Sequence, residues 1–229
     1  MEELMQEDTL KQFLPATESW FRKTFGEPTK IQREAWPAIA DGKHVLVSAP
    51  TGTGKTLSAF LVFIDQLGGL AERGELKEEL YVIYVSPLKS LAGDIRENLR
   101  KPLEGIGAEA PGESKPESRP GNPSIGQIQA AIRTGDTPQK ERQRMVKHPP
   151  HILIITPESL YLMLTSKSGR QVLKTAKAII LDELHALIDT KRGAHLMLSV
   201  ARLDKLCGRR LQRIGLSAGF GCQHEIKRF

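Results

Sequence analysis

The stretch Ala49-Pro50-Thr51-Gly52-Thr53-Gly54-Lys55-Thr56 decides the fold. It follows an apolar run, His44–Ser48, that reads as a buried strand. It leads into Leu57, Phe60, Leu61 and Ile64, which repeat at helical spacing. A glycine-rich turn between strand and helix is the pattern of the phosphate-binding P-loop, here with Ala49 where the first glycine usually stands. Gly52 and Gly54 permit the tight turn that aims backbone N–H groups inward. The helix opening near Lys55 adds the positive end of its dipole. Pro50, Thr51, Gly52, Thr53, Gly54, Lys55 and Thr56 are therefore the candidate nucleotide cradle. Lys55 can reach β- and γ-phosphates, and the Thr56 hydroxyl can ligate Mg²⁺. The bland alternative, an ordinary glycine turn, is disfavoured by the strand before it and the helix after it.

Five more short runs rich in Val and Ile follow: Tyr81–Ser86, Ile125–Arg133, His151–Thr156, Ala178–Asp182 and Leu211–Ser217. Helical patterns lie between them, at Ser90–Leu99, at Thr137–Val146 and around Leu196, Val200 and Leu203. Strand alternating with helix predicts an α/β fold, a parallel sheet of about six or seven strands flanked by helices. A helical entry region, about residues 9–40, is punctuated by Leu14-Pro15 and Glu27-Pro28. Between Pro102 and Ser124 stand five prolines and four glycines. Ala108–Ser124 is expected to be a flexible surface loop inside one domain.

Asp182-Glu183-Leu184-His185 closes the run Ala178–Leu181. An acidic pair at the end of a buried strand is costly unless a cation meets it. Mg²⁺ on a nucleotide is the natural partner. Asp182 would hold the metal, Glu183 would activate the attacking water, and His185 would sit beside them as a polar coupler. The plain alternative is a helix start with stabilising acids in its first turn.

In open α/β sheets, ligands bind beyond the carboxyl ends of the strands. Those ends carry the P-loop, Ser86-Pro87, Arg133-Thr134-Gly135-Asp136, Thr156-Pro157, Asp182-Glu183 and Ser217-Ala218-Gly219. Ser86-Pro87, Thr137-Pro138 and Thr156-Pro157 each put a hydroxyl residue before proline, which predicts three capped helix starts. With Lys89 and Arg133 nearby, these N-termini could follow a nucleic acid backbone, or they could be good caps and nothing more.

Charge points the same way. Residues 1–100 carry 12 Lys+Arg against 15 Asp+Glu, and the remainder carries 21 against 12. A basic half suits a polyanion, although a solvated basic surface would read alike. Two cysteines, Cys207 and Cys222, exclude a disulfide framework and a four-ligand zinc site. No apolar stretch approaches a membrane span, and the acidic N-terminus is unlike a signal peptide, so a cytoplasmic protein is expected.

Together these motifs resemble the first RecA-like domain of a superfamily 2 helicase. Phe25-Gly26-Glu27-Pro28-Thr29-Lys30-Ile31-Gln32 resembles the Q-motif, Ala49–Thr56 motif I, and Asp182–His185 motif II in its DExH form. Ser217-Ala218-Gly219 stands where motif III belongs, with Gly219 in place of the usual threonine. Ser86–Leu91, Arg133–Pro138 and Thr156–Leu160 are similar to the motifs that grip the nucleic acid backbone, and their wording is closest to the Lhr (large helicase-related) family.

The resemblance implies an ATP- and Mg²⁺-dependent DNA helicase lobe. Gln32 would read adenine through its amide donor and acceptor. Ser86, Pro87, Lys89, Arg133, Thr134, Gly135, Thr156 and Pro157 would hold single-stranded or partly duplex nucleic acid, DNA favoured over RNA. Ser217 and Ala218 would couple the two sites. The implied layout is an entry region at 1–40, one RecA-like domain at 41–219 and an atypical tail at 220–229. The family's second RecA-like domain is not in this sequence. A separate chain supplying it is an implied partner, and weak hydrolysis is expected without it. The alternative is a non-motor nucleotide- or nucleic-acid-binding module acting through another chain.

Overall fold

The computed structural model describes residues 8–50, 52–87, 91–109 and 127–218, of which 91–97 are described by backbone alone. Thr51, Lys89, Gly219, the tail 220–229 and most of the expected loop at 108–124 lie outside these residues.

Six parallel strands form one sheet. They are β1 (Val45–Ser48), β2 (Val82–Val85), β3 (Ala130–Arg133), β4 (Ile152–Ile155), β5 (Ala178–Leu181) and β6 (Gln212–Ser217). Their order across the sheet is β1-β6-β5-β2-β4-β3, with Val85 opposite both Leu181 and Ile155. All six predicted runs are strands. β3 is the shortest relative to expectation, because pairing with β4 begins only at Ala130 opposite Ile152.

Helices cover both faces. On one side lie α1 (Pro15–Phe25), α2 (Lys30–Ala40), α3 (Lys55–Glu72) and α4 (Leu91–Glu109). On the other lie α5 (Gln139–Lys147), α6 (Pro157–Thr165), α7 (Lys167–Leu173) and α8 (Lys191–Cys207). Strand residues alternate between the two layers: Val82 and Tyr84 face α3, and Ile83 and Val85 face the α6–α8 side. Each Ile or Leu fully buried this way contributes roughly 1.5–3 kcal/mol. That two-sided burial is why the central strands read as unbroken apolar runs.

Two expectations are corrected here. The proline-rich stretch does not end its helix at Leu99: α4 continues through Pro102 to Glu109, taking in Ala108 and Glu109 from the expected loop. Buried Leu99 and Ile106 hold it, which outweighs the backbone bond lost at Pro102. Gly105 is there for contact, since a Cβ on it would meet Trp20 Nε1 of α1 at 2.0 Å. Of the three hydroxyl–proline helix starts, only Thr156-Pro157 is built as expected, with Thr156 accepting from Ser159 N and Pro157 opening α6. α5 starts after Pro138 with no side-chain cap, because the Thr137 hydroxyl instead accepts from Thr134 N and donates to Ile132 O. Pro87 precedes the described start of α4 by four residues and opens no helix.

Candidate nucleotide and nucleic-acid site

The P-loop leaves β1 and turns on two glycines in the left-handed region, Gly52 at φ 81° and Gly54 at φ 85°. Gly54 then heads α3. Its start is fixed to the sheet by Ala49 N donating to Ser217 O at the end of β6. Thr53 Oγ1 donates to Pro50 O at 2.8 Å and closes the loop on itself. Lys55, 8% exposed, folds over the turn and donates to Ala49 O at 2.5 Å and Pro50 O at 2.7 Å. Burial pushes the Lys55 ammonium below its usual pKa of 10.5, and the nearby Glu183 and Asp182 carboxylates push back.

Gln32 lies against this loop. It is buried, and its side chain completes a capping box: Gln32 Oε1 accepts from Thr29 N while Thr29 Oγ1 accepts from Gln32 N. Thr29 Oγ1 also reaches Thr53 O at 3.3 Å. The Gln32 amide nitrogen sits over Gly54, 2.7 Å from where a Cβ would stand, so glycine is needed there for both φ and space. The helix-cap role thus uses one edge of the amide expected to read adenine.

The acidic pair lies just past β5. Asp182 is 7% exposed and accepts from Glu183 N at 2.8 Å through one oxygen and from the Tyr84 hydroxyl through the other. Burial pushes the Asp182 carboxyl pKa up, and those two donors pull it back. Tyr84 itself is held well above its usual pKa of 10.0, first by burial and then by Asp182, so it stays a neutral donor. Glu183 sits at φ 51°, a left-handed conformation that costs an L-residue about 1–2 kcal/mol. This turn starts the short 3₁₀ segment Leu184–Ala186 and aims the Glu183 side chain at His185. His185 Nδ1 accepts from Ala218 N at 3.2 Å and lies 3.4 Å from Ser217 Oγ. The proton is thereby assigned to Nε2, which faces Glu183 Oε2 at 3.2 Å. The ring links the acidic pair to Ser217 and Ala218, the arrangement expected of a coupler.

The strand-gripping candidates divide by exposure. Ser86, Pro87, Thr156 and Pro157 are buried, Arg133 and Thr134 are half-buried, and Gly135 is exposed. The Thr156 hydroxyl is committed to Ser159, so this segment offers a ligand its backbone more than its side chains. Arg142 of α5, which the sequence reading passed over, donates to Thr137 O at 2.7 Å and Gly135 O at 2.7 Å and so staples the Thr134–Thr137 turn. Burial, then Arg142, hold the Arg133 guanidinium below its usual pKa of 12.5. Tyr84 was also missed, because inside a Val/Ile run it reads as core.

Among the described residues no group of three or more His, Cys, Asp and Glu is placed to hold a metal alone. Asp182 and Thr56 offer hard oxygen donors, which suits a Mg²⁺ that takes its remaining ligands from phosphates and water. Among the described residues no helix is long and apolar enough to cross a membrane.

The family profile described as DEAD/DEAH box helicase matches residues 29–226. The chain is 47% identical over 215 residues to an ATP-dependent helicase Lhr-Core of Methanothermobacter thermautotrophicus, covering 94% of this chain and 24% of that protein. It is 47% identical over 222 residues to an Lhr helicase/probable uracil glycosylase of Mycolicibacterium smegmatis, covering 97% of this chain and 14% of that protein. The fold matches a structure of the Mycobacterium smegmatis helicase Lhr bound to ssDNA and AMP-PNP, with a TM-score of 0.85 and 47% identity over 97% of this chain and 27% of that one. The chain therefore spans between about a seventh and a quarter of the length of these relatives.

Proposed function

Because this chain belongs to the DEAD/DEAH box helicases, we propose that it is the ATP-binding RecA-like lobe of an Lhr-type DNA helicase. One observation carries the reading: Lys55, Thr56, Asp182 and Glu183 converge on one sheet edge, with Gln32 against the P-loop and His185 bridging to Ser217 and Ala218. The relatives' names and the AMP-PNP and ssDNA in the matching structure agree with it.

In this reading the P-loop amides and the head of α3 receive the phosphates. Lys55 exchanges its bonds to Ala49 and Pro50 for phosphate oxygens. Thr56 and Asp182 hold Mg²⁺, which screens the phosphate charge when bound. Glu183 takes the proton of the attacking water. The Gln32 amide nitrogen, left over from the cap, donates to adenine. Arg133 and the amides of the Thr134–Thr137 turn hold phosphates of a single strand, with the buried Ser86-Pro87 and Thr156-Pro157 segments shaping the same edge. Lys89 would add a cation there, and Ser217 and Ala218 pass the state of the acidic pair to that edge through His185. A second RecA-like lobe, from the longer protein or a separate chain, would complete the motor.

The test is single-stranded DNA binding by the full chain across a salt series. Phosphate contacts predict affinity that falls steeply with salt, and Arg133→Ala should lower the slope by about one unit. Binding that ignores salt, or no binding at low salt, would leave an ATPase lobe without a strand site.

A further inference from the structure

Tyr84 is a fully buried tyrosine in the centre of the sheet, on the face that carries α3. Its ring stacks on Phe60 of α3, with centroids 4.7 Å apart and planes 17° from parallel. Phe60 lies one helical turn beyond Thr56, so the two residues share a face of α3. The hydroxyl end of Tyr84 therefore points toward the Thr56 end of the helix. There it donates to the Asp182 carboxylate, and the Thr56 side chain is the next hydroxyl in its reach. One tyrosine oxygen thus stands between the two residues proposed to share a metal.

A tyrosine hydroxyl has one proton to give and lone pairs to receive with. Given to Asp182, the proton fixes one carboxylate oxygen and leaves the other side of the group for a cation. The lone pairs favour a Thr56 hydroxyl that turns its proton inward and its own lone pair outward. Both effects prepare oxygen ligands for a divalent cation, and neither touches the nucleotide.

We infer that Tyr84 is a positioning residue that sets the Thr56 and Asp182 oxygens for the divalent cation accompanying the nucleotide. This rests on the nucleotide-binding reading above. It assigns a function to a side chain that otherwise looks like core, and it explains why a polar tip is buried in the middle of β2, where phenylalanine would fill the same space.

The test is calorimetric titration of ATP into the full chain, with Mg²⁺ and again with EDTA. Three proteins are compared: the unaltered chain, Tyr84→Phe and Phe60→Leu. Tyr84→Phe keeps the ring and its stacking. It should lose about tenfold in affinity for ATP with Mg²⁺, the size expected for one hydrogen bond to a charged group, and be unchanged in EDTA. Phe60→Leu disturbs the stack and leaves the hydroxyl, so it should keep the Mg²⁺-dependent gain. The inference is overturned if Tyr84→Phe binds as tightly as the unaltered chain with Mg²⁺, or weakens equally in both conditions. It is also overturned if Phe60→Leu reproduces the Mg²⁺-specific loss, or if Tyr84→Phe does not fold. If the unaltered chain binds no ATP in either condition, it is the nucleotide-binding reading that fails, and the inference falls with it.

Discussion

Lys55, Asp182, Glu183 and His185 form a connected group through charge and hydrogen bonds, and each owes its place to local backbone. Lys55 is delivered by the left-handed Gly54, and Glu183 by its own left-handed turn. Paying about 1–2 kcal/mol of strain at Glu183 makes sense only if that side chain has a task where it points. Glu183→Gln keeps size and backbone but cannot take a proton. It should bind Mg-ATP as the unaltered chain does, while steady-state phosphate release falls by about 10²–10⁴-fold. A variant that hydrolyses normally would move the general base elsewhere. At this scale the sequence was most legible where chemistry is written in spacing, as in the P-loop and the acidic pair. It was least legible where a polar tip hides in an apolar run, as at Tyr84, or where one amide serves two roles, as at Gln32.

Elements were legible for a different reason. Strands buried on both faces have to be apolar throughout, so all six stood out. Their boundaries and caps did not, because packing decides them. α4 passes Pro102 since Leu99 and Ile106 are buried on its far side, and Thr137 leaves its expected cap for the turn at the end of β3. Histidines at the opposite sheet edge show the same dependence on context. His151 Nδ1 accepts from Gln129 N at 2.8 Å, and His44 Nδ1 accepts from Arg213 N at 3.0 Å. Burial holds both rings below the usual pKa of 6.5. A protonated ring would present a second N–H to a backbone donor, so these contacts need the neutral form. A depressed folded pKa contributes stability that is present above 6.5 and is lost as pH falls through the folded value. Urea unfolding should therefore show lower stability at about pH 5 than at about pH 7.5, and His151→Gln should shrink the difference. Equal shrinkage in a variant of exposed His148 would remove His151 as the cause.

For the whole molecule, one sheet edge gathers the nucleotide residues, the coupler and the strand-gripping turns, while the other edge carries structural histidines. That polarity was legible as soon as the polar clusters fell at the carboxyl ends of the runs. A lobe of this kind supplies phosphate binding, a metal site and a base. Charge that develops on the transferring phosphate needs a cation from outside, worth about 10³–10⁵ in rate in related enzymes. The 229-residue chain assayed by itself should therefore bind Mg-ATP yet turn it over slowly, with or without single-stranded DNA. Fast turnover by the isolated chain would mean that it contains its own transition-state cation. Binding with no turnover at any DNA concentration would favour the non-motor module.

The most direct test is calorimetric titration of Mg-ATP into the purified chain beside Lys55→Ala. The site described here predicts saturable binding to the unaltered chain and a loss of at least about tenfold on removing the ammonium, the scale of a charged hydrogen bond. Equal affinity in the two proteins, or no binding by a folded unaltered chain, would contradict it.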